Sequence, residues 1–297
     1  MNLSGQIEDI GVIMVCTIGN LFHDGLSYTF KQCDLVEKTE FIEPSVVNGE
    51  SGIRYLPFRR EGRSGDTPCW AGINNYGVAF VAADAYTNRE YQITDEWKQQ
   101  IFSEYEKIIS SYRTAKDAAK AMTNFYMTGF PAPDIVHITD ANIAIFIEYT
   151  PAGPELIGSW ERTDGFFAST NHFRMLPDAI EYDKDHSTYL RLERAEAILQ
   201  SKPEIEGIAA ALRDQYYGQT SLSICRVADN PPQYHTQANV VFMTDGKRVD
   251  CGYILNGSPR ENLYEIRPDV FDTSIVIKGE KSFDKEDTPL VALSTNL

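Results

Sequence analysis

The residue best placed for covalent chemistry is Cys16, which follows the short segment 1–15. If the chain were cut before Cys16, this residue would carry both a thiol and a free α-amine. Such an amine has a pKa of about 7.7–8.0, so it can accept a thiol proton at neutral pH and activate the nucleophile. Asp34 follows 18 residues later, and Asn171 lies in a Thr-Asn-His-Phe stretch much further on. These polar side chains are candidates for holding the amine and a reacting carbonyl group.

Two other interpretations of Cys16 stay open on position alone. A cysteine in an apolar segment is most often a small buried core residue. It could also pair with a histidine as in papain-like proteases, although the sequence contains no local signature of that class.

A series of short motifs runs in order along almost the whole chain. The motifs are Cys16-Thr17, Asp24-Gly25, Lys31-Gln32-Cys33-Asp34, Gly72-Ile73-Asn74-Asn75-Tyr76-Gly77-Val78-Ala79, Thr170-Asn171-His172-Phe173, Arg191-Leu192-Glu193-Arg194, Ile224-Cys225-Arg226, and Leu255-Asn256-Gly257-Ser258-Pro259 with Tyr264. The series resembles the choloylglycine hydrolase and penicillin V acylase group and the related acyl-CoA:6-aminopenicillanic acid acyltransferases. These families are cysteine N-terminal nucleophile (Ntn) hydrolases. Each motif is weak by itself, and the order and spacing of the set carry the resemblance.

The sequence departs from the family pattern at three positions. Lys31 stands where the family has arginine, and Gln32 stands where it has asparagine. Asp84 falls where the bile-salt branch has asparagine. Lysine keeps a positive charge that favours a thiolate, but it lacks the planar guanidinium fork.

The resemblance implies a role for each matching residue. Cys16 would attack an amide or thioester carbonyl, with its own amine moving the proton. Asp34 would hold the ammonium form of that amine, and Asn171 would donate to the oxyanion. Asp84 would contribute only its backbone N–H. The alternative interpretation is that Asp34 is a solvated turn carboxylate and Asn171 a capping residue.

Arg191 or Arg194 would hold the cysteine or nearby carboxylates. The two arginines lie three residues apart on a predicted helix, so they share roughly one face and only one need point inward. The other would belong to a solvated helix surface.

Candidate substrate-binding residues are Trp70, Phe80, Tyr86 and His172. The aromatic residues could line an apolar acyl pocket, although aromatic side chains are more often simply part of the core. The five histidines are widely spaced, which disfavours a zinc site. No nucleotide-binding or serine-esterase motif is present, so we expect neither a metal nor an organic cofactor.

Composition excludes several classes of protein. The 297 residues carry a formal net charge of −16, so nucleic acid and anionic membrane surfaces are poor partners. The five cysteines are odd in number and scattered, which is typical of free thiols in a reducing compartment. No 18-residue apolar run is present, and segment 1–15 carries Glu8 and Asp9 without a basic region, so a cytoplasmic protein is expected.

The hydrophobic pattern predicts strands and helices in alternating blocks. Predicted strands are 10–17, 26–30, 78–82, 135–138, 143–149, 223–227, 240–244, 248–255 and 273–277. Predicted helices lie within 95–125, where Thr114 caps a second helix over 115–126, and at 188–200 and 205–215. Residues 34–68 are predicted to form hairpins and loops. This order predicts a layered α+β fold.

Taken with the resemblance, the pattern implies an αββα sandwich in which 1–15 is a leader and 16–297 is one domain. The implied function is a self-processing hydrolase that cleaves a linear, non-peptide amide in a small molecule. Acyl transfer to an amine, or an uncut chain that only binds a ligand, are the alternatives. The oligomeric state stays open, a homo-oligomer included.

Overall fold

The computed structural model describes residues 15–62, 65–86, 91, 93–152, 155–176, 183–226 and 234–272. Its strands are β1 (Val15–His23), β2 (Leu26–Leu35), β3 (Phe41–Ile42), β4 (Val47–Asn48), β5 (Arg54–Arg60), β6 (Cys69–Asn74), β7 (Ala79–Asp84), β8 (Asp134–Thr139), β9 (Ala144–Tyr149), β10 (Ile157–Arg162), β11 (Phe166–Ser169), β12 (His235–Thr244), β13 (Val249–Leu255) and β14 (Glu265–Arg267). Its α-helices are α1 (Asp95–Ser111), α2 (Ala115–Tyr126), α3 (Ser187–Ser201) and α4 (Ile205–Leu212).

The strands form two antiparallel sheets. The first sheet has the order β11-β1-β2-β12-β13-β14, and the second has the order β10-β9-β8-β7-β6-β5-β3, with β4 also paired to β5. Strands β1 and β2 form a hairpin in the middle of the first sheet, with Cys16 directly opposite Cys33. The start of the hairpin is therefore supported by strands on both sides.

Four layers result from the alternation of side chains along these strands. Helices α1 and α2 bury their apolar faces against the second sheet, in a cluster that includes Ile108, Phe80 and Val136. Helices α3 and α4 cover the first sheet in the same way. The inner faces of the sheets share a third core that contains Cys16 and Trp70. The predicted α+β class and αββα layering are confirmed.

Helix starts follow the predicted capping chemistry. The hydroxyl of Thr114 accepts a hydrogen bond from the backbone N–H of Asp117 at the start of α2, and Thr94 caps α1 in the same way. Each cap satisfies one of the N–H groups that a helix leaves without an intrahelical acceptor.

The Asn74-Asn75-Tyr76-Gly77 turn has a structural role. The Asn74 side-chain oxygen accepts from the backbone N–H groups of Tyr76 and Val78, and its amide donates to the carbonyls of Ile109 and Tyr112. Gly77 has φ +79°, a conformation that side chains disfavour. This motif therefore joins a hairpin to the end of α1.

Several sequence predictions differ from the structure. The described part of the strand predicted over 223–227 is not a strand, because its backbone groups bond to scattered partners such as the Thr236 hydroxyl and the Gln32 amide. The strands β6, β10, β11 and β14 were not predicted; β10 is largely exposed and has no apolar alternation. The strand predicted at 273–277 and leader residues 1–14 lie outside the described residues.

His137 is buried between the sheets as a neutral imidazole. Its Nε2 lies 2.8 Å from the Ser169 hydroxyl, while its Nδ1 has no hydrogen-bond partner in the described chain. Burial, with the nearby charge of Arg174, lowers the pKa of His137 to about 3.

We expect His137 to make the fold sensitive to acid. Unfolded chains protonate histidine near pH 6.5, whereas the folded chain resists protonation down to about pH 3. The stability that depends on neutral His137 is therefore complete above pH 6.5 and decreases as the pH falls. Between about pH 6.5 and 4.5 the loss should be about 2 kcal/mol. Chemical denaturation should show that His137→Gln loses less stability than wild type over this range; equal losses would contradict the assignment.

Candidate functional site

Cys16 lies in the second position of β1 and is fully buried. Its side chain faces the core between the sheets, together with that of Cys33 on the neighbouring strand β2. Lys31 lies two residues before Cys33 and therefore on the same face of β2. Its Nζ donates to the Ala82 carbonyl at 2.6 Å and lies 3.4 Å from the Trp70 carbonyl, so it bridges the sheets.

The two thiols are electrostatically unequal. Burial by itself would raise the pKa of Cys16, but the hydrogen bond from Cys33 and the positive charge of Lys31 outweigh it and lower that pKa. The same hydrogen bond, together with burial, raises the pKa of Cys33 well above its ordinary value. Cys16 is therefore the member of the pair that becomes a thiolate.

The backbone of Cys16 is held by two side chains. Its N–H donates to the Asn171 side-chain oxygen at 3.2 Å. The guanidinium of Arg191 donates to the Cys16 carbonyl at 2.7 Å, to the Thr17 hydroxyl at 3.2 Å and to the Asn171 side-chain oxygen at 2.8 Å. We call Cys16, Lys31, Cys33, Asn171 and Arg191 the Cys16 cluster.

Asn171 joins three separate elements. It follows β11, which pairs with β1 and so carries Asn171 to the start of that strand. Its side-chain amide donates to the Asp84 carbonyl at 2.7 Å, and its backbone N–H donates to the Thr188 hydroxyl at 3.0 Å. Its carbonyl accepts from the Tyr86 N–H at 2.6 Å. Hydrogen bonds of both its side chain and its backbone therefore fix the orientation of Asn171.

Asp34 on β2 lies opposite Val15 on β1, and Val15 is the residue that directly precedes Cys16. It is fully buried and accepts a hydrogen bond of 2.7 Å from the Thr236 hydroxyl. Its second oxygen lies 3.4 Å from the Arg226 Nε. Burial raises the pKa of Asp34, and the charges of Arg226 and Arg191 oppose that rise only in part.

Several of these contacts come from residues that were not predicted as site residues, among them Arg226, Cys33, Thr188 and Thr236. Arg226 had a sequence signal, because it ends the Ile-Cys-Arg motif, but no role was assigned to it. Cys33 occupied the unspecified position of the Lys-Gln-Cys-Asp motif. Thr188 carried no signal, since a threonine in the first turn of a helix is common.

Glu148 supports the segment that follows Asn171, and no sequence pattern identifies it. Its buried carboxylate accepts hydrogen bonds from three successive backbone N–H groups, at 2.6 Å from Arg174, 2.8 Å from Met175 and 3.2 Å from Leu176. This segment begins three residues after Asn171, so the carboxylate anchors its loop to the second sheet.

Asp84 and the two arginines of α3 have different surroundings in the structure. The Asp84 carbonyl accepts a hydrogen bond from the Asn171 side-chain amide, and the role of the Asp84 backbone N–H stays a prediction. Arg194 points away from Cys16 on α3 and pairs with Asp214 at 2.7 Å, while Arg191 is the arginine that contacts the cluster. Helical geometry explains the split, since residues three apart are rotated enough for one to be buried and the other solvated.

The predicted substrate-binding residues are also divided. Phe80 faces the helix side of the second sheet, where it stacks on Tyr105, so its assignment to an acyl pocket beside Cys16 is wrong. Trp70 is buried between the sheets under the Lys31 ammonium. His172 contacts the Thr170 and Thr188 hydroxyls, and burial lowers its pKa to about 4. Tyr86 is partly exposed next to Asn171.

Comparisons with known proteins give similarities of fold. No family model and no curated protein matches the sequence. The structure is similar to a mutant of conjugated bile acid hydrolase from Clostridium perfringens, with 11% identity, a TM-score of 0.49 and coverage of 89% of this chain and 99% of that chain. Penicillin V acylase from Agrobacterium tumefaciens follows with 13% identity, a TM-score of 0.48 and coverage of 86% and 88%.

A third similar structure is the Caenorhabditis elegans ortholog of N-acylethanolamine-hydrolyzing acid amidase. It has 10% identity and a TM-score of 0.46, and the match covers 78% of this chain and 93% of that chain. A bile acid hydrolase and a penicillin acylase, the two kinds of protein that the motifs resemble, are thus among the similar structures. At these identities and TM-scores, the similarity assigns no activity to this chain.

Other kinds of site are not visible in the described residues. In that part of the chain, no three His, Cys, Asp or Glu side chains are grouped closely enough to hold a metal ion. None of the described helices is long and apolar enough to cross a membrane. A surface depression of about 590 Å³ lies between the end of α1 and helix α2, and one of about 420 Å³ lies along α1; neither is lined by a member of the Cys16 cluster.

We expect the two arginines of α3 to respond differently to the same substitution. Arg191→Lys should lower kcat by at least ~10-fold, because lysine cannot donate to the Cys16 carbonyl and to Asn171 at once. Arg194→Lys is the matched control on the same helix and should change kcat less than ~2-fold, because Arg194 pairs with Asp214, outside the Cys16 cluster, and lysine keeps the positive charge of that pair. Steady-state kinetics of both variants on one substrate test this; equal effects would show that Arg191 is not part of the site.

Proposed function

We propose that this protein is a cysteine Ntn amidohydrolase that frees Cys16 by cutting its own chain after Val15. The observation that carries the proposal is the convergence of buried polar groups on both reactive ends of Cys16. Its thiol lies beside Cys33 and is influenced by the positive charge of Lys31, and its backbone N–H donates a hydrogen bond to Asn171. A merely structural cysteine in a strand needs none of these partners.

The self-cleavage step uses atoms that the β1–β2 hairpin holds together. The Cys16 sulfur attacks the Val15 carbonyl carbon, and the C–N bond breaks as the Cys16 nitrogen takes up a proton. The resulting thioester is hydrolysed by water, which releases the leader as a carboxylic acid and leaves a free thiol and amine. We assign the new ammonium group to the carboxylate of Asp34, and the position of Asp34 opposite Val15 supports this role.

Turnover then follows the same chemistry on an external amide. The α-amine accepts the thiol proton, the thiolate attacks the substrate carbonyl, and the protonated leaving amine departs from the acyl-enzyme. We assign to the Asn171 side-chain amide the role of hydrogen-bond donor to the oxyanion, and its contacts with Arg191 and Asp84 hold its orientation. Lys31 lowers the cost of forming the thiolate. Water completes the cycle without a metal or an organic cofactor.

The burial of Cys16 supports a small-molecule amide as the substrate. The Cys16 thiol lies within the inter-sheet core, and among the described residues it is not on an exposed groove that an extended polypeptide could occupy. The same acyl-enzyme would transfer its acyl group to an amine if a bound amine reacted faster than water.

The test is the state of the N-terminus, followed by a substrate panel. Intact mass and N-terminal sequencing of freshly purified wild-type protein should find a chain that begins at Cys16. A panel of acylated amines, assayed with and without a free amine acceptor, should then yield a carboxylic acid. A new amide formed only when the acceptor is present would identify the transferase instead. Hydrolysis by a chain that permanently retains residues 1–15 would disprove the proposed mechanism.

A further inference from the structure

Cys33 is a second thiol beside Cys16 that the proposed hydrolysis does not use as a nucleophile. The two residues are directly opposite on the antiparallel strands β1 and β2. Such pairs have Cα atoms about 4.5–5.5 Å apart and side chains on the same face. Disulfides join cysteines whose Cα atoms lie about 4.4–6.8 Å apart. The backbone therefore already provides the spacing of a disulfide.

The side chains are also arranged for contact. Both are fully buried in the same core between the sheets, on residues that lie directly opposite each other. None of the other three described cysteines has such a partner. Cys69 faces the α1 and α2 side of the second sheet, and Cys251 lies opposite Phe242. Cys225 lies in the irregular segment before residue 227.

The pKa values of the two thiols shift in opposite directions, which gives the two cysteines different chemical roles. Cys16, whose pKa is lowered, is the sulfur that reacts first with an electrophile. The pKa of Cys33 is raised largely by its hydrogen bond to Cys16, so Cys33 stays protonated until Cys16 has reacted. Once Cys16 is oxidised, its negative charge is gone and that cause of the raised Cys33 pKa is removed.

We propose that Cys33 is a resolving thiol, which forms a reversible disulfide with Cys16 after a peroxide has oxidised Cys16. In the first step the Cys16 thiolate attacks one oxygen of hydrogen peroxide, the O–O bond breaks, and the other oxygen leaves as water after protonation. The product is a sulfenic acid on Cys16. In the second step the Cys33 sulfur attacks the Cys16 sulfur and displaces the hydroxyl, which leaves as water with the Cys33 proton. In total, two thiols and one peroxide give one disulfide and two waters.

The consequence for activity rests on the proposed function of Cys16. The disulfide would switch off the nucleophile while protecting it from irreversible oxidation to a sulfinic acid. Hydrogen peroxide is little larger than water, so a path that admits an amide substrate to Cys16 also admits the oxidant. A dithiol reductant would restore the free thiol by exchange.

Peptide mapping of the purified full-length chain tests the proposal. The wild-type protein is treated with hydrogen peroxide, its remaining thiols are alkylated, and it is digested without reduction for mass spectrometry. We expect one linked species that joins the Cys16 and Cys33 peptides, two hydrogen atoms lighter than their sum, and that separates on treatment with dithiothreitol. Recovery of Cys16 as a sulfinic acid beside alkylated Cys33, or its linkage to a different cysteine, would overturn the proposal.

Two variants sharpen the result. Cys33→Ser should give no linked species and should leave Cys16 over-oxidised and not rescued by dithiothreitol. Cys251→Ser removes a buried cysteine from the same inter-sheet core and should keep the Cys16–Cys33 linkage. Loss of the Cys16–Cys33 linkage in this variant would count against specific pairing of the two cysteines. The wild-type map decides the question even if a variant fails to fold.

Activity measured on the same samples keeps this inference separate from the proposed function. A linked pair in a protein that hydrolyses no amide would leave the resolving role intact and count against the hydrolase. Amide hydrolysis without linkage would support the hydrolase and overturn the resolving role.

Discussion

Replacing Cys16 by alanine should leave the Val15–Cys16 bond intact and lower amide hydrolysis by at least ~10⁴-fold, to the background rate. The expected loss is this large because a single atom, the Cys16 sulfur, serves as nucleophile both in maturation and in turnover. No other described group is placed to replace it, since Cys33 stays protonated beside it. Intact mass reports the first effect, and hydrolysis of an acylated amine reports the second.

Cys16→Ser separates the sulfur chemistry from the shape of the site. Serine keeps a hydroxyl in nearly the same place, but Lys31 and Cys33 cannot make an alcohol into an anion at neutral pH as they do a thiol. We expect slow or absent leader removal and activity far below wild type. Cys251→Ala, which removes a buried thiol from the same core, is the matched control and should process normally. Full activity in Cys16→Ala would rule out the assignment.

Asn171→Ala should lower kcat by about 100-fold or more if its amide stabilises the oxyanion. The effect has two physical sources in this structure. The amide N–H would no longer be available to a developing negative charge, and the side-chain oxygen would no longer accept from the Cys16 nitrogen and from Arg191. Pre-steady-state measurement of the acylation rate reports the chemical step. An unchanged acylation rate would show that Asn171 is structural.

Asn171→Asp distinguishes the two sources. Aspartate keeps an oxygen that can accept from Cys16 and from Arg191, but it has no N–H and adds a negative charge where the oxyanion would form. If Asn171 acts as an oxyanion donor, the aspartate variant should remain impaired as strongly as the alanine variant. If Asn171 only holds Cys16 and Arg191 in place, aspartate should recover most of the rate. Thermal unfolding of both variants checks that neither has lost the fold.

Local chemistry explains which features could be predicted from the sequence. The apolar stripe of α1 and the threonine before α2 are short-range patterns, and both elements lie where those patterns place them. Strands β1 and β2 were predicted from apolar segments on either side of the Asp24-Gly25 turn, which are short-range features as well. Strand β10 was missed because an exposed edge strand has no buried face and therefore no apolar alternation.

The sequence alone selected Cys16, Asp34, Asn171 and an arginine of α3 as residues to examine, because their types and order match a known chemistry. Only the tertiary structure decided that Arg191 and not Arg194 contacts Cys16, that Phe80 faces the helices, and that Arg226 lies beside Asp34. It also placed Cys33 against the Cys16 sulfur, through the register of one hairpin. These contacts join residues up to about 190 positions apart, and no periodicity within a single element encodes which face of one layer meets another.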